Sequence, residues 1–431
     1  MSAPRLFAML VSGRTRPLWT CFGLLILLLC MPFVPLSAQD SGAPFTIVNQ
    51  KKQAVRIPFE LQRNLIVVSA KLNGKGPYNF LLDTGVGISL ITDPSLRQTL
   101  NLPIGNRFQV AGAGEENAIQ AFQSDGVRVE LPGVVAPALS FLVLSEDVLN
   151  LSGYVGVPIH GILGYDIFRS FVVEVRPVEL VLRFHDPYMF RQPQGRSWTT
   201  IPLQLQGNKA YITTEVVVND QLALPLKLVL DTGAGHALSL EVGSDPRLQL
   251  PPIRLRSQLG RGLSGYINGF LGRVTALQIG KYRLKSLLTS FPDADNVQQR
   301  VDIPRNGNVG FELLKRFNMI IDYPHAQLML RPNGLYRDPF EHDMSGFDLM
   351  ATGPDLRRYI IMKVQPDSPA SAANLHPNDE IVSINLQPAS SMSLTQISRL
   401  LHSADGRLLL LIVRRSDGHM YTTALQLKRQ I

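Results

Sequence analysis

Two copies of one short motif, Asp-Thr-Gly, constrain this sequence more than any other feature. The first copy spans 83–85 and follows the apolar residues 80–82, and the second spans 231–233 and follows 228–230. Consecutive apolar residues are typical of short strands buried on both faces. A carboxylate directly after a buried strand costs free energy unless it is hydrogen-bonded or paired. The duplication therefore predicts that each copy supplies a partner for the other.

The sequence on both sides of the motifs is repeated as well. Residues 57–64 read IPFELQRN and recur as IPLQLQGN at 201–208, and LGYDIFRSF at 163–171 resembles VGFELLKRF at 309–317. The order and spacing of these segments are preserved. Chance can supply a single Asp-Thr-Gly, but it does not supply two copies with matching sequence on both sides. We therefore predict a mainly β protein with two homologous lobes, each containing one short helix.

Turn residues and composition set the expected limits of the units. Segments 65–72 and 211–218 are rich in β-branched and apolar residues and are followed by Asn-Gly and Asn-Asp, which is typical of hairpins. A stretch marked by proline and glycine follows Leu330 and ends the repeat. The predicted units are a first lobe at 39–192, a second lobe at 193–335 and a small α+β domain at 344–431.

Two aspartates that face each other suit acid–base chemistry. At a separation of about 3 Å they cannot both ionise, so they hold one proton between them. The ionised member can then take a proton from water while the protonated member polarises a peptide carbonyl. Hydroxyls can bond across to the opposite loop, and glycines permit a tight backbone beside the carboxylates. The candidate catalytic residues are Asp83 and Asp231, and the candidate supporting residues are Thr84, Gly85, Thr232 and Gly233.

The paired motifs resemble those of the retropepsin-like and pepsin-like aspartic proteases, in which each half contributes one Asp-Thr-Gly. The resemblance covers roughly 45–332 and implies two β-barrel lobes in a single-chain pseudo-dimer, a polypeptide substrate and no cofactor or metal. Gly87 and Gly235 stand where the family carries Ser or Thr, and Asn308 stands where an apolar residue is expected. These departures leave an alternative open, a peptide-binding or scaffold protein with the same folds and little or no turnover.

The resemblance also implies a glycine-rich hairpin that closes over the cleft. Two segments qualify, one containing Gly112 and Gly114 and the other containing Gly262 and Tyr266. Ordinary surface loops between strands are the alternative for both. Residues 260–265 also fit G-x-G-x-x-G, but no long helix and no βαβ unit follow, which excludes a dinucleotide site.

The C-terminal region has the pattern of another known domain. Residues 393–396 form a capping box for a helix that we expect over 394–402, and 368–385 reads SPASAANLHPNDEIVSIN. This order of elements resembles a PDZ domain, which implies that an extended peptide, such as the chain end of a substrate, adds to a sheet edge beside that helix. A purely structural role, covering the lobes, is the alternative. The candidate ligand loop contains Gly346, Phe347 and Leu349.

The N-terminus has the pattern of an export signal. Residues 1–38 contain three arginines and no acidic residue, and an apolar block at 22–31 precedes two prolines and the sequence Leu-Ser-Ala. We expect cleavage after Ala38 and a periplasmic or secreted protein. An uncleaved membrane anchor is the alternative. The chain has two cysteines, Cys21 and Cys30, and both lie in this segment, so the mature chain has no thiol chemistry or disulfide.

Other classes of function lack their patterns. The net charge is +8, but the basic residues are scattered and form no run, which argues against nucleic-acid binding. The histidines are isolated from one another and no H-E-x-x-H spacing exists, so a zinc site is not expected. His236 follows the second motif closely, and we interpret it as a packing or loop residue; an interaction with the carboxylates is the alternative. Neither a G-x-S-x-G elbow nor a P-loop lysine is present.

Overall fold

Both copies of the repeat fold into mainly antiparallel sheets in which one strand leads into the Asp-Thr-Gly loop. The computed structural model describes residues 43–110, 119–263, 265–294 and 303–431. The predicted signal segment at 1–38 lies outside the described residues. Across these ranges no helix combines the length and the apolar composition that a bilayer-spanning helix needs.

The elements of the first lobe are short strands joined by tight turns. Its strands are β1 (Thr46–Ile47), β2 (Ala54–Pro58), β3 (Glu60–Gln62), β4 (Leu65–Leu72), β5 (Lys75–Leu82), β6 (Leu90–Ile91), β7 (Arg107–Val110), β8 (Ile119–Leu131), β9 (Val134–Leu144), β10 (Gly161–Leu163), β11 (Val172–Arg176) and β12 (Val181–His185). Its helices are α1 (Ser95–Thr99), α2 (Leu151–Val155) and α3 (Tyr165–Ser170).

The second lobe repeats this order with longer hairpins. Its strands are β13 (Thr199–Pro202), β14 (Gln204–Gln206), β15 (Lys209–Asn219), β16 (Leu222–Asp231), β17 (Leu238–Leu240), β18 (Arg254–Gly262), β19 (Gly265–Ile279), β20 (Tyr282–Pro292), β21 (Gly307–Gly310), β22 (Phe317–Asp322) and β23 (Gln327–Pro332). A 3₁₀ turn lies at Val242–Ser244 and the helix α4 at Phe311–Leu314. The single short helix predicted in each lobe is present as α3 and α4, and the first lobe contains two further helices, α1 and α2.

The C-terminal domain has its own sheet and its own apolar core. Its strands are β24 (Phe347–Thr352), β25 (Arg358–Val364), β26 (Glu380–Ile384), β27 (Gln387–Pro388), β28 (Leu408–Arg414) and β29 (Met420–Gln426), and its helices are α5 (Pro369–Ala372), α6 (Leu394–Leu401) and a 3₁₀ turn at Ala389–Ser391. The predicted capping box is present, because the Ser393 hydroxyl accepts from the Gln396 N–H and the Gln396 side chain accepts from the Ser393 N–H.

One sheet contains strands from both lobes. Its order is β13-β23-β22-β11-β12-β2, and β11 pairs antiparallel with β22. The apolar side chains beneath it belong to one continuous cluster that draws on both lobes. The two halves therefore share a core, and the mainly β fold class predicted from the sequence is confirmed.

A buried acid lies in this shared sheet. Glu174 on β11 is 6% exposed, its Oε1 accepts from Arg176 Nε at 2.6 Å, and His185 Nε2 lies 3.2 Å from its Oε2. Burial alone would raise its pKa, but the hydrogen bonds from His185 and Arg176 and the charges of Arg176 and Arg183 outweigh burial and lower the pKa to about 2. The ionised form of Glu174 therefore stabilises the fold.

We expect Glu174→Gln to destabilise the protein by about 2 to 3 kcal/mol at pH 7, since the arginines lose their charged partner. The ionised Glu174 stabilises above pH 4.5 and this stability is lost as the pH falls towards 2, so the variant should lose less stability on acidification than the parent. Urea unfolding at pH 7 and pH 3 measures both effects. Glu179→Gln is the matched control, because Glu179 is an exposed partner of the same Arg176, and it should cost less than about 0.5 kcal/mol.

Candidate active site

Strand pairing brings the two aspartates to equivalent positions. The end of β5 runs parallel to β10, and the Asp83 N–H donates to the Leu163 carbonyl at 2.9 Å. In the second lobe β16 runs parallel to β21, and Asp231 pairs with Gly310. Each carboxylate therefore follows a strand that is held from beneath by a second strand of its own lobe.

The threonines of the two motifs bond across the boundary between the lobes. The Thr84 hydroxyl donates to the Leu230 carbonyl at 2.6 Å and accepts from the Thr232 N–H at 3.0 Å. Reciprocally, the Thr232 hydroxyl donates to the Leu82 carbonyl at 2.9 Å and accepts from the Thr84 N–H at 3.1 Å. Both hydroxyls are buried, so each loop holds the other in place.

The glycines of the motifs pack directly against the opposite carboxylate. A Cβ on Gly85 would lie 3.0 Å from both Asp83 Oδ1 and Asp231 Oδ1, and a Cβ on Gly233 would overlap the Asp83 carboxylate. The two carboxylates therefore meet at one place, and only glycine leaves room for them. The Gly85 N–H donates to Asp83 Oδ1 at 2.6 Å, and the Gly233 N–H donates to Asp231 Oδ1 at 3.1 Å.

The surroundings of Asp83 favour its protonated form. Asp83 is 9% exposed. Burial, together with the charge of Asp231, raises the pKa of Asp83 to about 7, while the N–H groups of Gly85 and Gly233 and the charge of Lys209 oppose the rise. At mildly acidic pH Asp83 therefore keeps its proton, as general acid chemistry requires.

Two further residues, neither of them predicted as part of the site, form a chain of hydrogen bonds that ends at the second aspartate. Asn308 Nδ2 donates to Asp231 Oδ2 at 2.7 Å, and His236 Nε2 lies 3.1 Å from Asn308 Oδ1. Asn308 had been interpreted as a departure from the family pattern and His236 as a packing residue. The sequence signal for Asn308 is its place in the element that pairs beneath the second loop, two residues before Gly310.

Gly87 and Gly235, the other departures, are contacted by turns from the opposite lobe. A Cβ on Gly235 would lie 2.9 Å from the Arg63 carbonyl oxygen, and the Asn64 side chain donates to the Gly235 carbonyl at 3.1 Å. The Asn208 side chain donates to the Gly87 carbonyl at 3.3 Å. The repeated segment that ends in Asn64 or Asn208 therefore occupies the space of the missing side chains.

The second candidate for the hairpin that closes over the cleft, the flap, belongs to the second lobe and extends to the first lobe. Gly112 and Gly114 lie outside the described residues. Gly262 and Tyr266 lie on β18 and β19, which pair up to the turn at the hairpin tip. Leu263 in that turn packs with the first-lobe cluster of Ala121, Leu144 and Leu149. The hairpin tip of the second lobe therefore contacts the first lobe, as a closing flap would.

The candidate ligand loop of the C-terminal domain already holds an internal acid. The Ser345 and Gly346 N–H groups donate to Asp343 Oδ1 at 2.8 and 3.3 Å, and the Phe347 N–H donates to the Ser345 hydroxyl. Strand β24 pairs only with β25 among the described residues, so its other edge has no strand partner. Leu349 lies on β24, and its carbonyl accepts from the Arg63 guanidinium at 3.5 Å.

The first lobe covers that edge of β24 and the start of α6. The side chain of Asn150, which caps α2, donates to the Met350 sulfur at 3.0 Å, and a Cβ on Gly156 would overlap Leu394. The Thr395 hydroxyl accepts from the Arg63 N–H at 3.2 Å. The side of the domain on which a PDZ ligand would bind is therefore in contact with the first lobe.

The described ranges contain no group of three or more His, Cys, Asp and Glu side chains arranged to hold a metal ion.

Comparison with known proteins bears on both regions. A family model described as an aspartyl protease matches residues 68–167, and one described as a PDZ domain matches residues 360–415. The first match includes Asp83 and ends before Asp231. Both resemblances expected from the sequence are therefore confirmed.

Among solved structures, the chain is similar to an aspartic proteinase from Irpex lacteus, with 14% sequence identity, a TM-score of 0.44, and coverage of 67% of this chain and 99% of that chain. No curated protein matches the sequence.

We expect Asp83→Asn to stabilise the folded protein at pH 8 but not at pH 4. Because the pKa of Asp83 is raised from 3.8 to about 7, the parent loses stability as the pH rises between these values. The amide of Asn does not ionise, so the variant keeps its stability as the pH rises. Its free energy of unfolding at pH 8 should exceed that of the parent by about 2 kcal/mol or more. Urea unfolding at both pH values measures it. Asp220→Asn, at an exposed turn, is the control and should change stability by less than about 0.5 kcal/mol; a variant no more stable than the parent at pH 8 contradicts the prediction.

Proposed function

We propose that this protein is an aspartic endopeptidase that hydrolyses peptide bonds with water activated by Asp83 and Asp231. The observation that carries the proposal is the meeting of the two carboxylates beside Gly85, each held by a backbone N–H of its own loop. The reciprocal threonine bonds support it, since they fix the loops that carry the acids. Acid–base catalysis of this kind depends on such positioning.

The chemistry needs one ionised and one protonated carboxyl. The ionised member takes a proton from a bound water, whose oxygen attacks the peptide carbonyl, while the protonated member gives its proton to the carbonyl oxygen. A tetrahedral diol forms. The carboxylate that gave its proton takes one back from the diol, the other gives its proton to the nitrogen, and the C–N bond breaks. Both groups return to their starting forms, so no cofactor and no covalent intermediate enters the balance.

We expect Asp83→Asn and Asp231→Asn each to lower hydrolysis of a denatured, fluorescently quenched protein by at least about 10³-fold, since each removes one of the two proton carriers. Asp220→Asn should keep full activity. A purified parent protein that binds the same polypeptide but does not cleave it between pH 3 and 8 would support the alternative, a binding protein without turnover.

The proposed chemistry also sets a pH limit. Because Asp83 must be protonated and its pKa is about 7, kcat/KM should fall tenfold per pH unit above about pH 7. The reason is that burial and the charge of Asp231 both oppose a second ionisation. A fluorogenic peptide assayed from pH 3 to 9 gives the profile, and full activity at pH 9 is the contrary result.

The C-terminal domain, in this proposal, takes an extended segment of substrate along the unpaired edge of β24 by strand addition, and the substrate displaces the first-lobe contacts that cover this edge. Asp343 already occupies the loop N–H groups, so a chain-end carboxylate gains little there. Peptides with a free or an amidated C-terminus should therefore bind the full chain within about twofold of each other. Arg63→Ala, which removes a first-lobe contact with β24, should strengthen binding of both.

Export of the protein also belongs to the proposal and rests on residues 1–38. Expression of the full chain followed by N-terminal sequencing of the exported fraction tests it. A chain beginning at Gln39 supports signal cleavage, and an intact N-terminus in the membrane fraction supports the anchor.

A further inference from the structure

We propose that Asn308 and His236 are positioning residues that decide which member of the dyad holds the shared proton: they keep Asp231 ionised, so Asp83 carries it. The inference deepens the proposed protease function and rests on it. It assigns Asp231 as the group that takes the proton of water and Asp83 as the group that donates to the carbonyl oxygen.

The orientation of the Asn308 amide sets the direction of the hydrogen bonds. Its nitrogen donates to Asp231 Oδ2 at 2.7 Å, and a donor at a carboxyl oxygen favours the ionised form of that carboxyl. The amide oxygen then faces His236 Nε2 at 3.1 Å and must accept, so Nε2 carries a hydrogen. His236 thus donates to Asn308 and Asn308 donates to Asp231, and both hydrogen bonds favour the negative charge of the Asp231 carboxylate.

The neutral imidazole of His236 supports this orientation of the Asn308 amide and does not take up the proton that the two aspartates share. Burial lowers the pKa of His236, against the opposing effects of the Asp231 charge and the Asn308 hydrogen bond. A neutral ring with its hydrogen on Nε2 orients the amide and adds no full charge. The ring therefore fixes which end of the Asn308 amide faces the carboxylate.

The first lobe lacks both residues at the equivalent positions. Ile88 lies five residues after Asp83, as His236 lies five after Asp231. Ile162 pairs with Leu81 on β5 as Asn308 pairs with Val229 on β16. Neither isoleucine can donate a hydrogen bond, so the repeat differs between the lobes at the two positions that reach the outer side of one aspartate.

Other charged groups around the dyad do not replace this asymmetry. Lys209 acts on Asp83 and opposes the rise of its pKa. Tyr323 lies below the loops, with its hydroxyl 3.5 Å from the Thr84 carbonyl. Burial and the charge of Asp83 raise the pKa of Tyr323 well above its usual range, so it stays neutral. The amide of Asn308 is therefore the side-chain donor that distinguishes the two carboxylates.

The first test replaces each residue by its first-lobe counterpart. At low pH, kcat/KM should fall as Asp231 becomes protonated, and we call this fall the acid limb of the profile. In Asn308→Ile the acid limb should move up by about one pH unit, because the ionised form of Asp231 loses the hydrogen bond from Asn308. His236→Ile should shift the same limb by a smaller amount. His236→Gln, which keeps an N–H donor, should restore the parent profile. A uniform loss of activity at all pH values, with the limb unmoved, assigns both residues a merely structural role and overturns the proposal.

A second measurement does not depend on turnover. Carboxyl-¹³C aspartate labelling of the resting protein, with the two signals assigned from Asp83→Asn and Asp231→Asn, reports the order in which the dyad loses its protons. The Asp83 signal should titrate last in the parent, and the gap between the two steps should narrow in Asn308→Ile. Unchanged steps overturn the inference. If the parent cleaves no polypeptide but the titration behaves as stated, the proposed function fails while the hydrogen-bond assignment stands.

Variant folding is checked by the midpoint of thermal unfolding. If Asn308→Ile does not fold, His236→Ile and His236→Gln carry both measurements, since they leave the buried strand unchanged.

Discussion

Two carboxylates meet at the boundary between the lobes, with Asp83 buried and Asp231 partly exposed, and the arrangement of both active loops follows from that meeting. A single acid in that place has no compensation for lost water, but two acids that share one proton present only one charge. The backbone N–H groups of both loops and the reciprocal bonds of Thr84 and Thr232 hold that charge. The lobes cannot separate without breaking these bonds, so the site and the fold stabilise each other.

A duplicated scaffold gives two equivalent acids, whereas catalysis by a shared proton needs two different ones. The two lobes differ outside the motifs, at Asn308 on β21 and at the imidazole of His236. Asn308 donates a hydrogen bond to the Asp231 carboxylate, and His236 is hydrogen-bonded to the Asn308 amide oxygen. The symmetric parts of the repeat therefore bring the acids together, and the parts that have diverged distinguish them.

The turn that ends the repeated segment links the site to the C-terminal domain. Asn64 bonds to the Gly235 carbonyl of the second active-site loop and accepts from Lys315, and its neighbour Arg63 bonds to Thr395 on α6 and to Leu349 on β24. A ligand that displaces Arg63 from β24 would act on the same turn. The contact gives the two regions a short physical connection through packed and hydrogen-bonded groups.

Strand periodicity, turn residues and repeats are local patterns, so the amino-acid sequence predicts the duplication, the mainly β lobes, the position of both aspartates and the resemblance to a PDZ domain. The contacts of Asn308, Gly87 and Gly235 become visible only in the folded chain. Their contacts join residues 77, 121 and 171 positions apart, and no local pattern records which side chain fills the space beside a glycine. The register of β21 beneath β16 places an amide against a carboxylate, and that register exists only once both strands are buried in one sheet.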